Sequence, residues 1–238
     1  MTLTAGSAPT TKAFISLIIP ALNEEAAIGK VLSELPRDLY SQVLVADNGS
    51  TDGTAAVAEA NGATVVREPR RGYWSACLAA IAHLDPGAEI VVFMDADSSD
   101  VPAEARSLVE PIMAGQADLV IGSRVLGRAE RGALQPHQRF GNLLATSLLR
   151  LLYGGFPFTD LGPFRAVRAS SLRALEMQDR AYGWTVEMQA KALRSKLRIA
   201  EAPVSYRRRV GGQSKVSGNL RASFAAGKTI IATILRLR

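Results

Sequence analysis

The chain has a single cysteine, Cys77, in 238 residues. An intrachain disulfide is therefore excluded, and this cysteine usage suits a reducing compartment. Histidine is nearly as scarce: His83 and His137 are far apart and show no metal-ligand spacing, so both read as structural. No stretch holds about 18 uninterrupted apolar residues, so no transmembrane helix is expected. Residues 1–12 are small and polar, without the basic start and apolar run of a secretory signal, and are expected to be a flexible N-terminus. Aromatic residues make up only 6% of the chain. The basic C-terminal region lacks the interleaved aromatics of a nucleic-acid surface, so no nucleic-acid partner is expected. No internal repeat or low-complexity linker is visible.

Hydrophobic residues reach 47%, enough for a substantial core. The net charge of +6 is unevenly placed. Residues 200–238 contain Arg207, Arg208, Arg209, Lys215, Arg221, Lys228, Arg236 and Arg238 against one acid, Glu201. Such a region fits a phosphorylated substrate or anionic lipid, as well as a solvated basic helix. Up to about residue 122, apolar strand-like runs at 14–20, 42–46, 63–67, 89–94 and 117–122 alternate with helical patterns at 23–35, 52–60, 72–84 and 101–114. That alternation predicts an α/β fold with a parallel, doubly wound sheet. Beyond it the pattern predicts a polar loop at 127–138, a helix at 139–153 and a Gly/Pro-rich loop at 154–163. A helix at 183–194, a strand at 197–206 and a basic amphipathic helix at 219–237 complete the chain.

The most informative stretch follows the fourth run: Phe93-Met94-Asp95-Ala96-Asp97-Ser98-Ser99-Asp100. Alternate strand residues point the same way, so Asp95 and Asp97 converge at the carboxyl end of a strand. Ligands of open α/β sheets bind there. Two close carboxylates repel unless positive charge lies between them. Their hard oxygens suit Mg²⁺ or Mn²⁺, which keeps positions for substrate phosphates. The plainer reading is a strand-to-helix turn with Asp as N-cap.

Seven motifs stand in a fixed order: IPALNEE (19–25), VADNGSTDGT (45–54), FMDADSSD (93–100), IGSR (121–124), DLGPFRA (160–166), YGWTVEM (182–188) and VGGQSK (210–215). The series resembles the family 2 glycosyltransferases of GT-A fold, and within them the polyprenyl-phosphate (dolichyl-phosphate) mannose or glucose synthases. The resemblance covers residues 14–238. It departs at DLGPFR, where the family often has D-x-T-S-G-F-R, and in lacking the C-terminal membrane helices of some members. It implies one GT-A domain over residues 13–238, with a mostly parallel Rossmann-like sheet and a C-terminal amphipathic helix. Residues 13–124 would be the nucleotide-sugar-binding half and 125–238 the acceptor half.

The resemblance also implies roles. Asp95 and Asp97 would hold the metal, with Ser99 as a third oxygen ligand. Asp47 would take a hydrogen bond from the nucleobase. Pro20, Leu22 and Glu24 would lie beside base and ribose, with Arg71, Ala96, Arg209 and Lys215 completing the donor site. Glu24 and Glu25 equally suit the first turn of a helix. Arg124, Arg139 and Arg165 would meet acceptor phosphate, since arginine presents a planar fork to phosphate oxygens. Glu187 and Asp160 are the carboxylates of the acceptor half. A hydroxyl acceptor needs one of them as base, whereas a lipid monophosphate attacks as an anion already, and the two would then position arginines or the basic loop.

The resulting expectation is a metal-dependent, inverting transferase moving a hexose from a UDP- or GDP-sugar to a polyprenyl phosphate. The alternatives are a family member acting on a soluble sugar, metabolite or other lipid, and a non-catalytic nucleotide-sugar-binding protein. A nucleotidyltransferase is disfavoured because IPALNEE has no glycine and no basic residue. The protein is expected in the cytoplasm, peripherally bound to the inner face of the membrane. Leu148, Leu149, Leu151 and Leu152 with Arg150, and the helix at 219–237, would supply the attachment. Packing of these helices on the core or on a second subunit is the competing expectation, and an oligomer is compatible with the sequence.

Overall fold

The computed structural model describes residues 13–179, 183–210 and 220–237, with side chains from 227 onward in the last stretch. Largely apolar runs form the inner strands: β1 (Ile15–Ala21), whose one polar residue is Ser16, and β4 (Ile90–Phe93) are buried along their whole length. Parallel strands covered on both faces have this character. β1 pairs with β2 (Gln42–Asp47) on one side and β4 on the other, and β2 pairs with β3 (Thr64–Arg67), all in parallel. Between them run α1 (Glu25–Ser33), α2 (Thr54–Ala60) and α3 (Tyr73–Ala82). α4 (Ala105–Met113) follows β4. The carboxyl ends of β1, β2 and β4 thus open on one side of the sheet.

The second half joins the same sheet. β5 (Leu119–Ala129), β6 (Arg165–Arg168) and β7 (Ile199–Tyr206) complete the order β3-β2-β1-β4-β6-β5-β7. β6 is antiparallel to both β4 and β5. This short strand escapes the periodicity reading, because RAVR is flanked by charge and is apolar at two positions only. It is followed directly by a second unpredicted element, α6 (Ala169–Ala174). Within the predicted loop 127–138, β5 continues to Ala129, pairing Arg128 and Ala129 with Ser205 and Tyr206 after an irregularity. Gly127 makes that approach possible, since a Cβ there would strike the Val204 backbone. α5 (Pro136–Tyr153) begins before the expected Arg139, with Pro136 in its first turn and a Gln135/Gln138 capping box.

Alternation along β1 builds two cores. Leu17 and Ile19 face α1 and α4, packing with Ile28, Val31, Leu108 and Ile112. Ile18 faces the other way, with α3, α5, α7 (Trp184–Arg194) and α8 (Leu220–Arg236). This corrects the expectation for the C-terminal helix. Ile234 is wholly buried, and Ile230 and Leu237 pack against the core. Tyr153 Oη donates to Ile234 O at 2.6 Å, Thr233 Oγ1 to Asp179 Oδ2 at 2.8 Å, and Arg194 Nη1 to Leu237 O at 2.6 Å. Ile230, Ile234 and Leu237 of α8 are thus turned to the core, while Leu235 is exposed; the Arg221, Phe224 and Arg238 side chains lie outside the described residues. No helix among the described residues is long and apolar enough to cross a membrane. Docking of α8 is expected to rest on Ile234: Ile234→Ala should lower stability by about 2–4 kcal/mol in denaturant unfolding.

Candidate active site

Two loops at the carboxyl edge of the sheet lock together on the donor side. After β1, Asn23 takes a positive φ of 52° and its Oδ1 accepts the Thr51 N–H at 2.8 Å. Asparagine tolerates that conformation better than most side chains. Glu24 N–H donates to Thr54 Oγ1 at 2.8 Å, and Glu25 Oε2 accepts the Gly53 N–H at 3.0 Å. Glu25 is thus a tie between loops. Asp47 ends β2, buried, with Oδ1 closing the turn to Ser50 N at 3.1 Å. Pro20 is buried at the end of β1 beside Ala46, Leu22 is half-buried, and Arg71 is exposed beside Gly49. Asn48 was not anticipated. Its buried amide spans Glu68 O, Arg70 O and the Gly72 N–H at 3.1, 2.7 and 2.7 Å, shaping the approach to α3. Its position in a run of turn-forming residues hides that role.

At the end of β4 the chain turns sharply. Ser98 has a φ of 63°, and Ser99 returns its N–H and its hydroxyl to Asp97 Oδ1 at 2.9 and 2.5 Å. Ser99 is buried. Its hydroxyl therefore orients Asp97, a correction to its expected place as a third metal ligand. Ala96 is buried between the two aspartates. Asp100 is also buried; its Oδ2 accepts the Asp95 N–H at 3.1 Å and its Oδ1 has no hydrogen-bond partner. Burial first, then repulsion from Asp97, pushes Asp95 up to about 7, with Arg124, the Tyr73 hydroxyl and Arg209 pulling the other way. Asp100 is raised too, by burial and by Asp95.

Arg209 supplies the nearest positive charge. Its Nη2 lies 3.0 Å from Asp97 Oδ2 and 3.3 Å from Glu24 Oε1, bridging the β1 and β4 loops. The backbone around it is clipped to the aspartate turn, with Arg207 N donating to Ser99 O at 2.7 Å and Val210 N to Asp97 O at 3.0 Å. Lys215, expected in the same site, lies outside the described residues. A guanidinium shared by carboxylates of two loops marks a seat for a cation, and Asp95 and Asp97 offer it hard oxygen donors. Among the described residues no group of three or more His, Cys, Asp or Glu is arranged as a metal cage. Mg²⁺ and Mn²⁺ do not need one, because substrate phosphates complete the set. Divalent-ion binding at Asp95 and Asp97 must displace the Asp95 proton. Apparent Mn²⁺ affinity, measured by calorimetry, should therefore rise about tenfold per pH unit up to about pH 7 and level off above it, and Asp97→Ala should abolish it.

A second cavity, of about 390 Å³, opens between the extended part of β5, the start of α5 and residues 159–160. Arg124, Gln138, Arg139 and Asn142 line it together with Val125 and Leu143. Asp160 is its only carboxylate. Both oxygens of Asp160 face Arg124: Oδ2 accepts Arg124 N and Nε at 2.8 Å each, and Oδ1 accepts Nη2 at 2.7 Å. Burial works against the Arg124 charge, but Asp160 outweighs it and holds the guanidinium firmly protonated. Arg139 is exposed in the first turns of α5.

Two expected residues lie elsewhere. Arg165 is 1% exposed. Its Nε and Nη1 donate to Gly162 O and Thr185 O at 3.1 Å, and Nη2 to Leu161 O at 3.2 Å. Burial pushes it down to about 10. It ties the start of β6 to the loop before it and to the first turn of α7, with its guanidinium turned away from solvent. Glu187 is equally buried on α7. It accepts the N–H groups of Gln178 and Asp179 at 2.9 and 2.7 Å and pairs with Lys191 at 2.8 Å. Glu187 holds a loop and is not among the residues lining the cavity.

The geometry can now be set beside known proteins. The sequence model described as glycosyl transferase family 2 matches residues 16–175. An uncharacterized glycosyltransferase of Mycobacterium tuberculosis is 39% identical over 213 residues, spanning 89% of this chain and 94% of that one. Undecaprenyl-phosphate mannosyltransferase of Micrococcus luteus is 34% identical over 218 residues, spanning 85% of this chain and 87% of that one. Among solved structures, glucosyl-3-phosphoglycerate synthase from Mycobacterium tuberculosis, in complex with Mn²⁺, UDP-glucose and phosphoglyceric acid, is similar with a TM-score of 0.75 and 27% identity. That likeness covers 94% of this chain and 79% of the other. The matched segment spans most of the chain, including the aspartate turn, Arg124 on β5 and Arg139 on α5, and the protein belongs to glycosyl transferase family 2.

Proposed function

We propose that this glycosyltransferase moves a hexose from a UDP- or GDP-sugar to a polyprenyl phosphate, at the surface of an anionic membrane. The observation that carries the reading is the cavity beside Arg124. It offers cations and a helix N-terminus to an anion, and its single carboxylate is committed to Arg124. Arg139 stands where the helix dipole disfavours a cation, and a bound anion relieves that conflict. Among the described residues lining the cavity no carboxylate is free to act as a base, which supports an acceptor oxygen that arrives deprotonated, as a phosphate does at pH 7. Similarity to an undecaprenyl-phosphate mannosyltransferase supports this choice. Similarity to a synthase solved with phosphoglyceric acid favours a second reading, a soluble phosphorylated acceptor.

In the proposed mechanism, Asp47, Pro20, Leu22 and Glu24 hold the nucleoside, and Asp95 and Asp97 hold Mg²⁺ or Mn²⁺. The ion would stabilise the charge that grows on the departing diphosphate. Arg209 and Arg71 add positive charge on the donor side. Arg124 and Arg139 hold the acceptor phosphate, whose oxygen attacks the anomeric carbon and inverts it in one displacement. A panel of nucleotide sugars, offered with membrane extract and Mn²⁺ or Mg²⁺, tests the reading through a radiolabelled lipid product. Transfer should stop in EDTA and resume when the metal is restored; label appearing only in water-soluble product would favour the second reading.

The membrane side of the reading moves from α8 to α5. Of the expected leucine run, Leu149 is buried and Leu148 and Leu152 are packed on the core, leaving Leu151 exposed. Other exposed apolar side chains lie nearer the cavity: Leu143 of α5 and Val125 of β5 line it, and Phe140 and Leu144 on α5 and Leu126 on β5 are exposed next to them in the chain. α5 carries Arg139 and Arg150 and no acid, which complements anionic headgroups. Flotation with anionic liposomes should capture the protein. Changing Phe140, Leu143 and Leu144 together to Ser should weaken capture by at least about tenfold, while Lys228→Gln on α8 should leave it nearly unchanged. Equal recovery of the triple variant would rule out this face.

A further inference from the structure

Arg124 enters the acceptor cavity with one edge of its guanidinium already engaged. Asp160 takes Nε and Nη2, and the Tyr206 ring lies 5.0 Å from Cζ. Nη1 makes no hydrogen bond among the described residues. Such a group is aimed by its surroundings, with one edge left for a ligand.

Asp160 is itself held on every side. Its N–H and that of Thr159 donate to Glu201 Oε1 at 3.2 and 2.9 Å, and Thr159 Oγ1 donates to Glu201 Oε2 at 2.6 Å. Gln189 on α7 donates to Asp160 O at 2.9 Å. Asn142 on α5 joins Thr159 O and Leu161 N at 2.8 Å each. Residues 159–161 are thus tied to β7, α7 and α5 by side chains that reach backbone, and the one side chain sent forward from them is the Asp160 carboxylate. Glu201, raised by burial, is spent entirely on this loop.

We propose that Asp160 is a positioning residue: it fixes the Arg124 guanidinium so that its outer edge meets the acceptor phosphate, and Glu201 anchors Asp160 to β7. This rests on reading the cavity as the acceptor-phosphate site. A role as general base is incompatible with the geometry, because Asp160 is 1% exposed and both its oxygens are turned to Arg124.

A double-mutant cycle over Asp160→Asn and Arg124→Gln tests it, with two measurements on the full chain. One is calorimetric binding of geranylgeranyl phosphate in detergent micelles; the other is steady-state transfer with its pH profile. Asp160→Asn should weaken probe binding roughly tenfold and lower kcat/KM for the acceptor roughly a hundredfold, with UDP-sugar affinity and the shape of the pH profile unchanged. In the Arg124→Gln background it should cost no more than about threefold further, since residues acting as one unit are not additive. Additive losses, or disappearance of a base-type limb in Asp160→Asn, would overturn the proposal. Should Asp160→Asn fail to fold, Glu201→Gln carries the same cycle, with a smaller loss that must again vanish in Arg124→Gln. Probe binding lost in Arg124→Gln but intact in Asp160→Asn refutes the positioning role alone. A wild-type protein that does not bind the probe refutes the acceptor reading, and this proposal with it.

Discussion

Negative charge crowded at the carboxyl end of β4 is the constraint around which the molecule is arranged. Asp95, Asp97 and Asp100 fall within one tight turn, and burial with mutual repulsion raises Asp95 and Asp100. A fold keeps such a cluster only by bringing opposite charge or hydrogen bonds to it. The cations that offset Asp95 come from the second half of the chain, Arg124 on β5 and Arg209 beyond β7. The insertion of β6 between β4 and β5 makes that possible. It carries the second half across the sheet edge and returns β5 and β7 to the same end as the aspartates. Donor chemistry and acceptor cavity are adjacent because one electrostatic demand draws both halves to one place.

Three arginines of the second half show how surroundings assign different work to one residue type. Arg165 gives its donors to backbone carbonyls and is lost to the solvent. Arg124 is forked to a carboxylate but keeps an edge in a cavity. Arg139 is exposed at a helix start, where its charge opposes the dipole. Only the last two retain positive charge that a phosphate can reach. A buried guanidinium satisfied by carbonyls is a structural strut, whatever motif it stands in.

The alternation that predicts the first half is legible because its strands are continuous apolar runs, and its helices repeat at a period that strands cannot share. Asp95 and Asp97 are legible for the same reason, since a strand's end and its two-residue period locate them. β6 was not, because four residues with charge at both ends carry no period. Asn48, Asn142, Gln189 and Glu201 were not, because a buried polar side chain is defined by partners far away in sequence. The partners of Glu187 were hidden on the same ground: nothing in YGWTVEM tells that the N–H groups of Gln178 and Asp179 meet its oxygens.

α5 and α8 present the same ambiguity in its sharpest form. Both are amphipathic, both carry arginine near one end, and from sequence either could lie on a membrane. Packing separates them. Ile230, Ile234 and Leu237 of α8 pack in the core and Leu235 alone of its large apolar side chains stands exposed among the described residues, whereas α5 turns Phe140, Leu143, Leu144 and Leu151 outward. Water-exposed apolar side chains scattered singly need no explanation, but Leu143 shares the lining of a cationic cavity with Val125 of β5. A small phosphorylated metabolite would use the cations and leave the apolar rim without a purpose. On the proposed reading a lipid phosphate uses both: its headgroup would enter between Arg124 and Arg139 while its chain would stay in the bilayer against the rim, so that the apolar surface would lie where a lipid acceptor crosses from membrane to protein.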